Sequence, residues 1–300
     1  MYTAKTRFES KDPGIIISAA DPKYKIYLIT MEKSSQFSNT LNSGVSDMSK
    51  LTGIPYIWVA PAQRDADEQI KAIENAISSG ANAIMLAAID GIKESRAVED
   101  AKALGVKMIY VDSPTSEPAI ITLATDNYSA GVTAGQTMIS FLNDLGKKSG
   151  TIGMISVTPQ TPTTILREAG FLDTMRDDGR FTILKTKYIG NNRVLAQWYA
   201  QAFLSEYLDI VGIYATNEIT TFGVGNAIKN SQKEIVGIGF DINKAIQDFL
   251  DEGYLKAVMI QNPYTMGYLG MAQTIAALKG YDTGPTFLNT GITVHTKDTY

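Results

Sequence analysis

The sequence predicts an α/β fold: two doubly wound parallel-sheet lobes joined by a three-strand hinge. Three observations predict it. Short apolar runs alternate with amphipathic helical segments, most of those runs are apolar on consecutive residues, and the alternation restarts near residue 150. Uninterrupted apolar runs are typical of parallel strands that helices cover on both faces. A regular β-α alternation implies right-handed crossovers between parallel strands. The 300 residues also fit two domains of ordinary size.

Strands are predicted where short runs are rich in Ile, Val and Tyr and are bounded by turn residues. In the first half of the chain, the predicted strands are 25–31, 55–60, 82–87, 107–112 and 120–124. In the second half they are 151–157, 181–188, 210–215, 235–240 and 256–261, and the last predicted strand is 292–296.

Helices are predicted between the strands, and the segment after residue 65 shows their pattern most clearly. Ile70, Ile73 and Ile77 recur at spacings of three and four, which places them on one helical face. Asp65 is a good N-cap, and Gly80 is a good stop signal directly before the next strand. The same order of helix, glycine and strand recurs along the chain, so each strand is expected to be followed by a helix.

Three short segments are predicted to cross between the lobes, because no linker rich in Pro, Gly or Ser separates the two halves. The crossings lie at 125–127, 261–263 and 289–291, and the hinge residues are expected to be Asp126, Asn127, Asn262 and Pro263. Several close crossings favour a hinge over two independent domains. The predicted divisions are an N-terminal extension at 1–24, a first lobe at 25–125 plus 262–290, and a second lobe at 126–261 plus 291–300.

Composition excludes several classes of function. The net charge is −4, from 27 basic and 31 acidic residues, so the basic stripe that a nucleic-acid surface needs is not expected. The chain has no cysteine and a single histidine, which excludes disulfides, thiol nucleophiles, Cys-ligated zinc and multi-His metal sites. No P-loop, G-x-S-x-G or complete G-x-G-x-x-G is present. We therefore expect no catalytic residue, no metal and no cofactor.

Polar side chains follow many of the predicted strands, at the edge where open parallel sheets bind ligands. The candidate ligand-binding residues are Lys33, Ser35, Phe37, Asp112, Ser113, Thr164, Asn191, Arg193, Asn217, Asp241 and Gln261. Carboxylates accept hydrogen bonds from vicinal hydroxyls, amides both donate and accept, and an aromatic ring covers an apolar face. This mixture predicts a neutral polyhydroxylated ligand. Asp or Asn after a strand is also a common helix N-cap, so capping is the alternative role for these residues.

Several segments, in this order and spacing, resemble one family. They are 34–37, 109–112, 124–127 with 130–131, 167–171, 215–218, 236–241 and 260–263. From about residue 25 to 297 the chain resembles the type I periplasmic sugar-binding proteins, the ribose-binding-like branch that shares its fold with LacI-type effector domains. The resemblance implies a two-lobed receptor that captures a monosaccharide by hinge closure and delivers it to an ABC importer. In ribose-binding relatives, sugar hydroxyls are bound at the positions that match Ser35, Phe37, Asp112, Asn191, Asn217, Asp241 and Gln261.

Three positions depart from the ribose-binding pattern that the resemblance implies. Ser113 stands where relatives that bind ribose carry an arginine, Thr164-Ile165 stands at a second arginine position, and Asn191 replaces an aromatic residue. Two guanidinium groups and one stacking face are therefore expected to be missing, and Lys33 is expected to replace one charge. These departures argue against ribose itself and leave a related sugar, a polyol or an autoinducer-2-type furanosyl signal open.

Two other roles stay open for such a chain. One is a ligand-sensing domain of a signalling receptor, for a sugar or an autoinducer-2-type signal, with a sensor kinase as partner. The other is the effector domain of a LacI-type transcriptional regulator; only about 24 residues precede the first predicted strand, too few for a DNA-binding region. For the transport role, the resemblance implies an extracytoplasmic chain, periplasmic or lipid-anchored at the cell surface, with a membrane permease as partner. No signal peptide is expected in this chain.

Overall fold

Each lobe is built around its own sheet, whose two faces are covered by helices. The computed structural model describes residues 24–299, so all but Tyr24 of the predicted N-terminal extension lies outside the described residues. The first sheet contains β1 (Ile26–Ile29), β2 (Tyr56–Val59), β3 (Ala83–Leu86), β4 (Lys107–Val111), β5 (Ile121–Ala124) and β12 (Phe287–Asn289). Its strand order is β12-β5-β4-β3-β1-β2, and all of these pairings are parallel. The helices of this lobe are α1 (Gln36–Thr52), α2 (Ala66–Ser78), α3 (Ser95–Ala103) and α9 (Pro263–Leu278).

The second sheet repeats this design with one added strand. It contains β6 (Gly150–Ser156), β7 (Phe181–Ile183), β8 (Lys187–Tyr188), β9 (Ile210–Ala215), β10 (Val236–Phe240), β11 (Ala257–Gln261) and β13 (Ile292–Thr296). The strand order is β13-β11-β10-β9-β6-β7, and β8 also pairs with β6. Its helices are α4 (Asn127–Asp144), α5 (Pro162–Asp178), α6 (Arg193–Glu206), α7 (Glu218–Ser231) and α8 (Lys244–Asp251), and a short 3-10 turn follows at Lys297–Thr299.

The predicted fold class is confirmed, and the strands lie close to their predicted positions. Each sheet separates two apolar layers, as the consecutive apolar runs indicated; β1, for example, is buried along its whole length. One expectation was wrong, and one strand direction was not predicted. Segment 181–188 forms two strands, because the pairing register on β6 shifts by one residue between Ile183 and Lys187. The last strand runs antiparallel to β11, since the chain re-enters the second sheet beside Gln261, at the carboxyl end of β11.

The three crossings between the sheets are hydrogen-bonded to one another. The Asp126 amide donates to Asn289 Oδ1 at 3.0 Å, which joins the first crossing to the third. Asn262 Nδ2 donates to the Thr290 carbonyl at 2.7 Å, which joins the second crossing to the third. Asp126 is also the N-cap of α4, where its carboxylate accepts from the Ser129 amide. The predicted hinge segments therefore lie side by side in a single bundle of crossings.

No helix in the described part of the chain is long and apolar enough to pass through a bilayer.

Glycines let helices approach closely at one crossing in each lobe. In the first lobe α1 packs on α9, and a Cβ on Gly44 would lie 2.1 Å from the Tyr264 carbonyl oxygen. A Cβ on Gly267 would lie 2.0 Å from the Leu41 carbonyl oxygen, so each helix supplies one glycine to the contact. In the second lobe Gly131 on α4 and Gly170 on α5 have the same roles. Because the obstacle in each case is backbone, neither helix can accommodate a side chain by a rotamer change.

We expect Gly44→Ala to lower the free energy of unfolding by roughly 2–3 kcal/mol, because α1 and α9 must move apart. Urea denaturation followed by circular dichroism measures this. Ser43→Ala is the matched control, since Ser43 is exposed on the same helix and should change stability by about 0.5 kcal/mol at most. Equal midpoints for Gly44→Ala and wild type would contradict the close packing of α1 on α9.

Candidate ligand-binding site

The carboxyl ends of both sheets open onto a cleft between the lobes, which contains a cavity of about 200 Å³. In each sheet the strand order reverses between the fourth and fifth strands of the six-strand path, at β3 and β1 in one sheet and at β9 and β6 in the other. Such switch points are where open α/β sheets bind ligands. Drug-sized ligands occupy cavities of roughly 300–1,000 Å³, so this cavity fits a smaller molecule.

Eight of the predicted site residues lie on the cavity wall. They come from both lobes: Ser35, Phe37, Asp112, Thr164, Arg193, Asn217, Asp241 and Gln261. Asp112 and Asp241 directly follow a strand, Gln261 ends one, and Asn217 comes two residues after one, as the sequence pattern predicted. The other four lie at the starts of α1, α5 and α6. Phe37 is the aromatic residue on this wall, and Leu41 and Ile219 add further apolar surface.

Three predicted residues do not line the cavity. The Lys33 ammonium instead donates to the Trp58 carbonyl at 3.0 Å and lies 5.0 Å from the centre of the Trp58 ring. Ser113 is buried behind Asp112, where its carbonyl accepts from the Ala88 amide at 2.8 Å. Asn191 is exposed in the turn before α6. The expectation that Lys33 supplies a charge to the site is therefore wrong.

The cavity contains guanidinium groups, although positions 113 and 164–165 lack arginine as the sequence indicates. Arg64, in the loop between β2 and α2, and Arg167, on α5, both line it, together with the predicted Arg193. Arg167 could have been found from its helical spacing, because it lies three residues after Thr164 on the same helix. Arg64 lies beyond the carboxyl end of β2, the same edge of the sheet that carries Asp112.

Two acidic residues of the wall were also missed. Glu32 follows β1 in the first lobe, and Glu218 is the first residue of α7 in the second. Glu218 accepts a hydrogen bond from Asn243 Nδ2 at 2.8 Å through Oε1. Both lie beyond the carboxyl end of a predicted strand, so the strand-end rule covered them too.

Arg167 is held in place by three elements of the second lobe. Its Nε donates to Asn127 Oδ1 at 2.8 Å, and Nη1 donates to the Thr216 carbonyl at 2.9 Å. The guanidinium carbon lies 4.2 Å from the centre of the Phe240 ring. The side chain is almost completely buried. Burial of this charge is tolerated because its N–H groups donate to acceptors that are fixed within the fold. Arg167 thereby presents a rigid positive charge beside the carboxylates of the cavity.

Asp112 and Asp241 occupy equivalent places in the two lobes, directly after β4 and β10. Both have a left-handed backbone, with φ of 89° at Asp112 and 64° at Asp241. Residues other than glycine adopt this conformation at an energetic cost, and such strain concentrates at functional sites. The turn directs both carboxylates into the cavity from opposite lobes.

Buried acceptors on the wall lack hydrogen-bond partners within residues 24–299. They are Asp112 Oδ1, Gln261 Oε1 and Glu218 Oε2. Gln261 and Asp241 orient each other, because Gln261 Nε2 donates to Asp241 Oδ1 at 2.8 Å. An unpaired buried acceptor is unfavourable, and a ligand hydroxyl removes that cost.

Burial raises the pKa of the acidic groups in the cavity. The pKa of Asp112 is raised to about 6 by burial, while the charges of Arg167 and Arg64 act in the opposite direction. Burial also raises the pKa of Asp241, against the charge of Arg167 and the hydrogen bond from Gln261. The pKa of Glu218 is raised by burial as well. These carboxylates are therefore poorly solvated in the ligand-free cavity.

The capping alternative applies to two of the predicted residues. Ser35 caps α1 by accepting from the Ser38 amide at 3.1 Å. Asn217 caps α7 through Oδ1, which accepts from the Thr220 amide and hydroxyl at 3.2 and 2.8 Å. The Nδ2 donor of Asn217 has no acceptor in the described part of the chain, and Asn217 lines the cavity. Capping and facing a ligand are compatible for this residue.

The lobes also touch each other at the mouth of the cleft. Thr161 Oγ1 donates to the Ile89 carbonyl at 3.3 Å, and the Gly91 amide donates to the Gln160 carbonyl at 3.5 Å. A Cβ on Gly91 would lie 2.5 Å from Pro162 Cγ, so a residue without a side chain allows this approach. These contacts bring residues 89–91 of the first lobe against residues 160–162 of the second.

Within residues 24–299, no group of three or more His, Cys, Asp or Glu side chains is arranged to hold a metal ion.

This fold and cavity define a class of protein, the two-lobed receptor that encloses a small molecule between its lobes. The sequence profile of the periplasmic binding protein domain matches residues 26–282. The chain belongs to this family, and the resemblance identified from the sequence is confirmed.

Individual relatives agree with this assignment. The ribose import binding protein RbsB of Bacillus subtilis is 27% identical over 248 residues, covering 82% of this chain and 79% of that protein. A carbohydrate transporter solute-binding protein of Agrobacterium radiobacter, solved in complex with D-arabinose, has a TM-score of 0.89 at 26% identity and covers 93% of this chain and 96% of its own. An ABC transporter solute-binding protein of Agrobacterium vitis with bound D-fucose has a TM-score of 0.86 at 28% identity, with 92% and 96% covered. All three are binding proteins, and the expectation that this chain is not an enzyme is confirmed at the level of the family.

We expect Asp112→Asn to stabilise the ligand-free protein at pH 7.5, by an amount on the order of 1–3 kcal/mol. The pKa of Asp112 is raised to about 6, so folding buries an ionised carboxylate above that pH. Stability is lost as the pH rises from about 4 to 6, and the difference between variant and wild type should therefore shrink towards pH 4. Asparagine also tolerates the left-handed backbone.

Urea denaturation of both proteins at pH 4 and pH 7.5 measures this difference. Asp144→Asn, at an exposed position near the end of α4, is the control and should behave as wild type at both pH values. A variant that is less stable than wild type at pH 7.5 would show that the Asp112 carboxylate supports the fold. A variant shifted equally at both pH values would show that ionisation of Asp112 is not the cause of the difference.

Proposed function

We propose that the chain is a solute-binding receptor that captures a monosaccharide or related polyhydroxylated small molecule by hinge closure. The observation that carries the proposal is the set of unpaired buried acceptors on the cavity wall, contributed by both lobes. Asp112 Oδ1 belongs to the first lobe, and Gln261 Oε1 and Glu218 Oε2 belong to the second. A molecule with several hydroxyl groups can donate to all three at once, and only in a closed arrangement of the lobes.

The rest of the wall complements the same kind of molecule. The Phe37 ring offers an apolar face for the C–H side of a sugar ring, and Arg64, Arg167 and Arg193 offer donors to its oxygens. The volume of about 200 Å³ suits a single small ring. Relatives named for ribose, xylose or arabinose, and apiose support the proposal, as do the complexes with D-arabinose and D-fucose. Because guanidinium groups are present after all, ribose belongs among the candidate ligands.

Closure supplies the mechanism. A ligand that bridges the lobes binds the closed form more tightly than the open form, so it shifts the equilibrium towards the closed form. We propose that the three bonded crossings are the hinge, with Asp126, Asn127, Asn262 and Pro263 at its ends. We also propose the lobe boundaries predicted from the sequence, 25–125 plus 262–290 and 126–261 plus 291–300.

The wider setting follows from the same proposal. The closed receptor would deliver its sugar to the membrane permease of an ABC importer, as relatives named import binding proteins do. The receptor would work outside the cytoplasm, in the periplasm or anchored at the cell surface, in keeping with its family.

We expect at least one sugar in a panel of D-ribose, D-arabinose, D-xylose, D-apiose and D-fucose to raise the melting temperature. A ligand at a thousandfold excess over its Kd stabilises the folded state by about 4 kcal/mol. Asp241→Asn should weaken binding of that sugar about 10- to 100-fold in isothermal titration calorimetry, because hydrogen bonds to a carboxylate are replaced by bonds to a neutral amide.

Asp144→Asn is the control, since it removes the same charge from the surface far from the strand ends that form the cavity. The proposal fails if none of the five sugars binds, or if a sugar binds equally well to the Asp241 variant.

A further inference from the structure

Arg64 is a buried cation without a hydrogen-bond partner on the cavity wall. Its side chain is only 10% exposed, and it lines the cavity from the first lobe. Its nearest carboxylate oxygen, Glu32 Oε1, lies 3.9 Å away, which is too long for a hydrogen bond. Within the described residues 24–299, its five N–H groups donate to no acceptor. A guanidinium taken out of water normally has partners, so this one needs an acceptor from elsewhere.

The other arginine buried in this wall shows what a structural role looks like. Arg167 donates to Asn127 and to the Thr216 carbonyl and stacks on Phe240. Arg167 therefore has bonded partners within the protein, whatever its remaining N–H groups contact. Arg64 has none of these contacts, although most of its side chain is buried.

The backbone fixes where Arg64 lies. It comes directly before Asp65, the N-cap of α2, whose Oδ1 accepts from the amides of Asp67 and Glu68 at 2.8 and 3.0 Å. The cap fixes the loop, and it engages Asp65 Oδ1 with backbone amides of α2. The loop leaves the carboxyl end of β2, so Arg64 enters the cavity from the same sheet edge as Asp112.

The charges around Arg64 indicate which kind of acceptor it would meet. Glu32, Asp112 and Glu94 lie near enough for their charges to act on the guanidinium or to be acted on by it, and so does the cation Arg167. The cavity wall as a whole carries four carboxylates and three guanidinium groups. The positive charge is thus already opposed by carboxylates, while the hydrogen-bonding capacity is unused. Because carboxylates outnumber guanidinium groups on the wall, an additional anion is disfavoured there, whereas a neutral oxygen is not.

We propose that Arg64 is a specificity-determining residue that donates hydrogen bonds to neutral oxygens of the bound sugar. The proposal rests on the proposed function and deepens it. The planar fork of Arg64 reads two adjacent oxygens at once, so it distinguishes sugars by the placement of neighbouring hydroxyls.

Isothermal titration calorimetry of wild type, Arg64→Met and Arg64→Lys tests this. The probes are D-ribose and D-arabinose, their 2-deoxy and 5-deoxy analogues, and D-galacturonate as an anionic sugar. We expect Arg64→Met to weaken binding of the better pentose about 10- to 100-fold. We also expect one deoxy analogue to bind wild type more weakly than its parent sugar does, but to bind Arg64→Met as well as the parent does. The hydroxyl that this analogue lacks is then the one that accepts from Arg64. Arg64→Lys should keep the charge but should not restore the selectivity between pentoses.

The melting temperature of each ligand-free variant and the variant Arg96→Met serve as controls. Arg96 is an exposed arginine on α3, whose loss should change neither affinity nor selectivity. If Arg64→Met binds the pentoses with the same affinities and the same selectivity as wild type, the role of Arg64 is overturned while the proposed function stands. Wild-type selectivity in Arg64→Lys, or tighter binding of D-galacturonate than of the pentoses, would overturn the neutral hydrogen-bonding role. A wild type that binds no sugar would overturn the proposed function and this role together.

Discussion

The site depends on the contacts that the buried guanidinium of Arg167 makes with three elements of the second lobe. The guanidinium links α5 to the start of α4 through Asn127, to the end of β9 through Thr216, and to the end of β10 through the Phe240 ring. Its charge also favours the ionised forms of Asp112 in one lobe and Asp241 in the other. Without that charge, two buried carboxylates would face each other across a small cavity with much less to oppose their repulsion.

The surrounding architecture serves this arrangement. The close crossing of α4 on α5 at Gly131 and Gly170 brings Arg167 against the sheet, since a Cβ on Gly131 would lie 2.2 Å from the Arg167 carbonyl oxygen. The strained turns at Asp112 and Asp241 direct acidic groups into the cleft. Unpaired acceptors and strained backbone both lower the free energy of unfolding. Packing within the two lobes stabilises the fold enough to offset this loss.

The sequence predicted much of this, because the rules involved are local. Consecutive apolar runs located the strands, and the strand-end rule located Asp112, Asp241 and Gln261 on the cavity wall. It was too coarse for neighbouring residues: Asp112 and Ser113 both follow β4, but only one of them can face the cleft. Arg64 was missed because its place depends on how a six-residue loop folds back, and that depends on the Asp65 cap and on contacts distant in sequence. The antiparallel direction of β13 follows from where the third crossing enters the sheet, which no local pattern encodes.

The central claim is that a sugar closes the two lobes around the cavity, and the distance across the cleft mouth tests it most directly. Because the chain has no cysteine, Ile92→Cys and Gln160→Cys can be spin-labelled specifically, one in each lobe beside the contact between Gly91 and Gln160. Pulsed electron paramagnetic resonance should give a broad or long distance distribution without ligand, and a narrow, short one with a saturating sugar from the panel. A distribution that stays unchanged when a sugar is demonstrably bound would contradict the account.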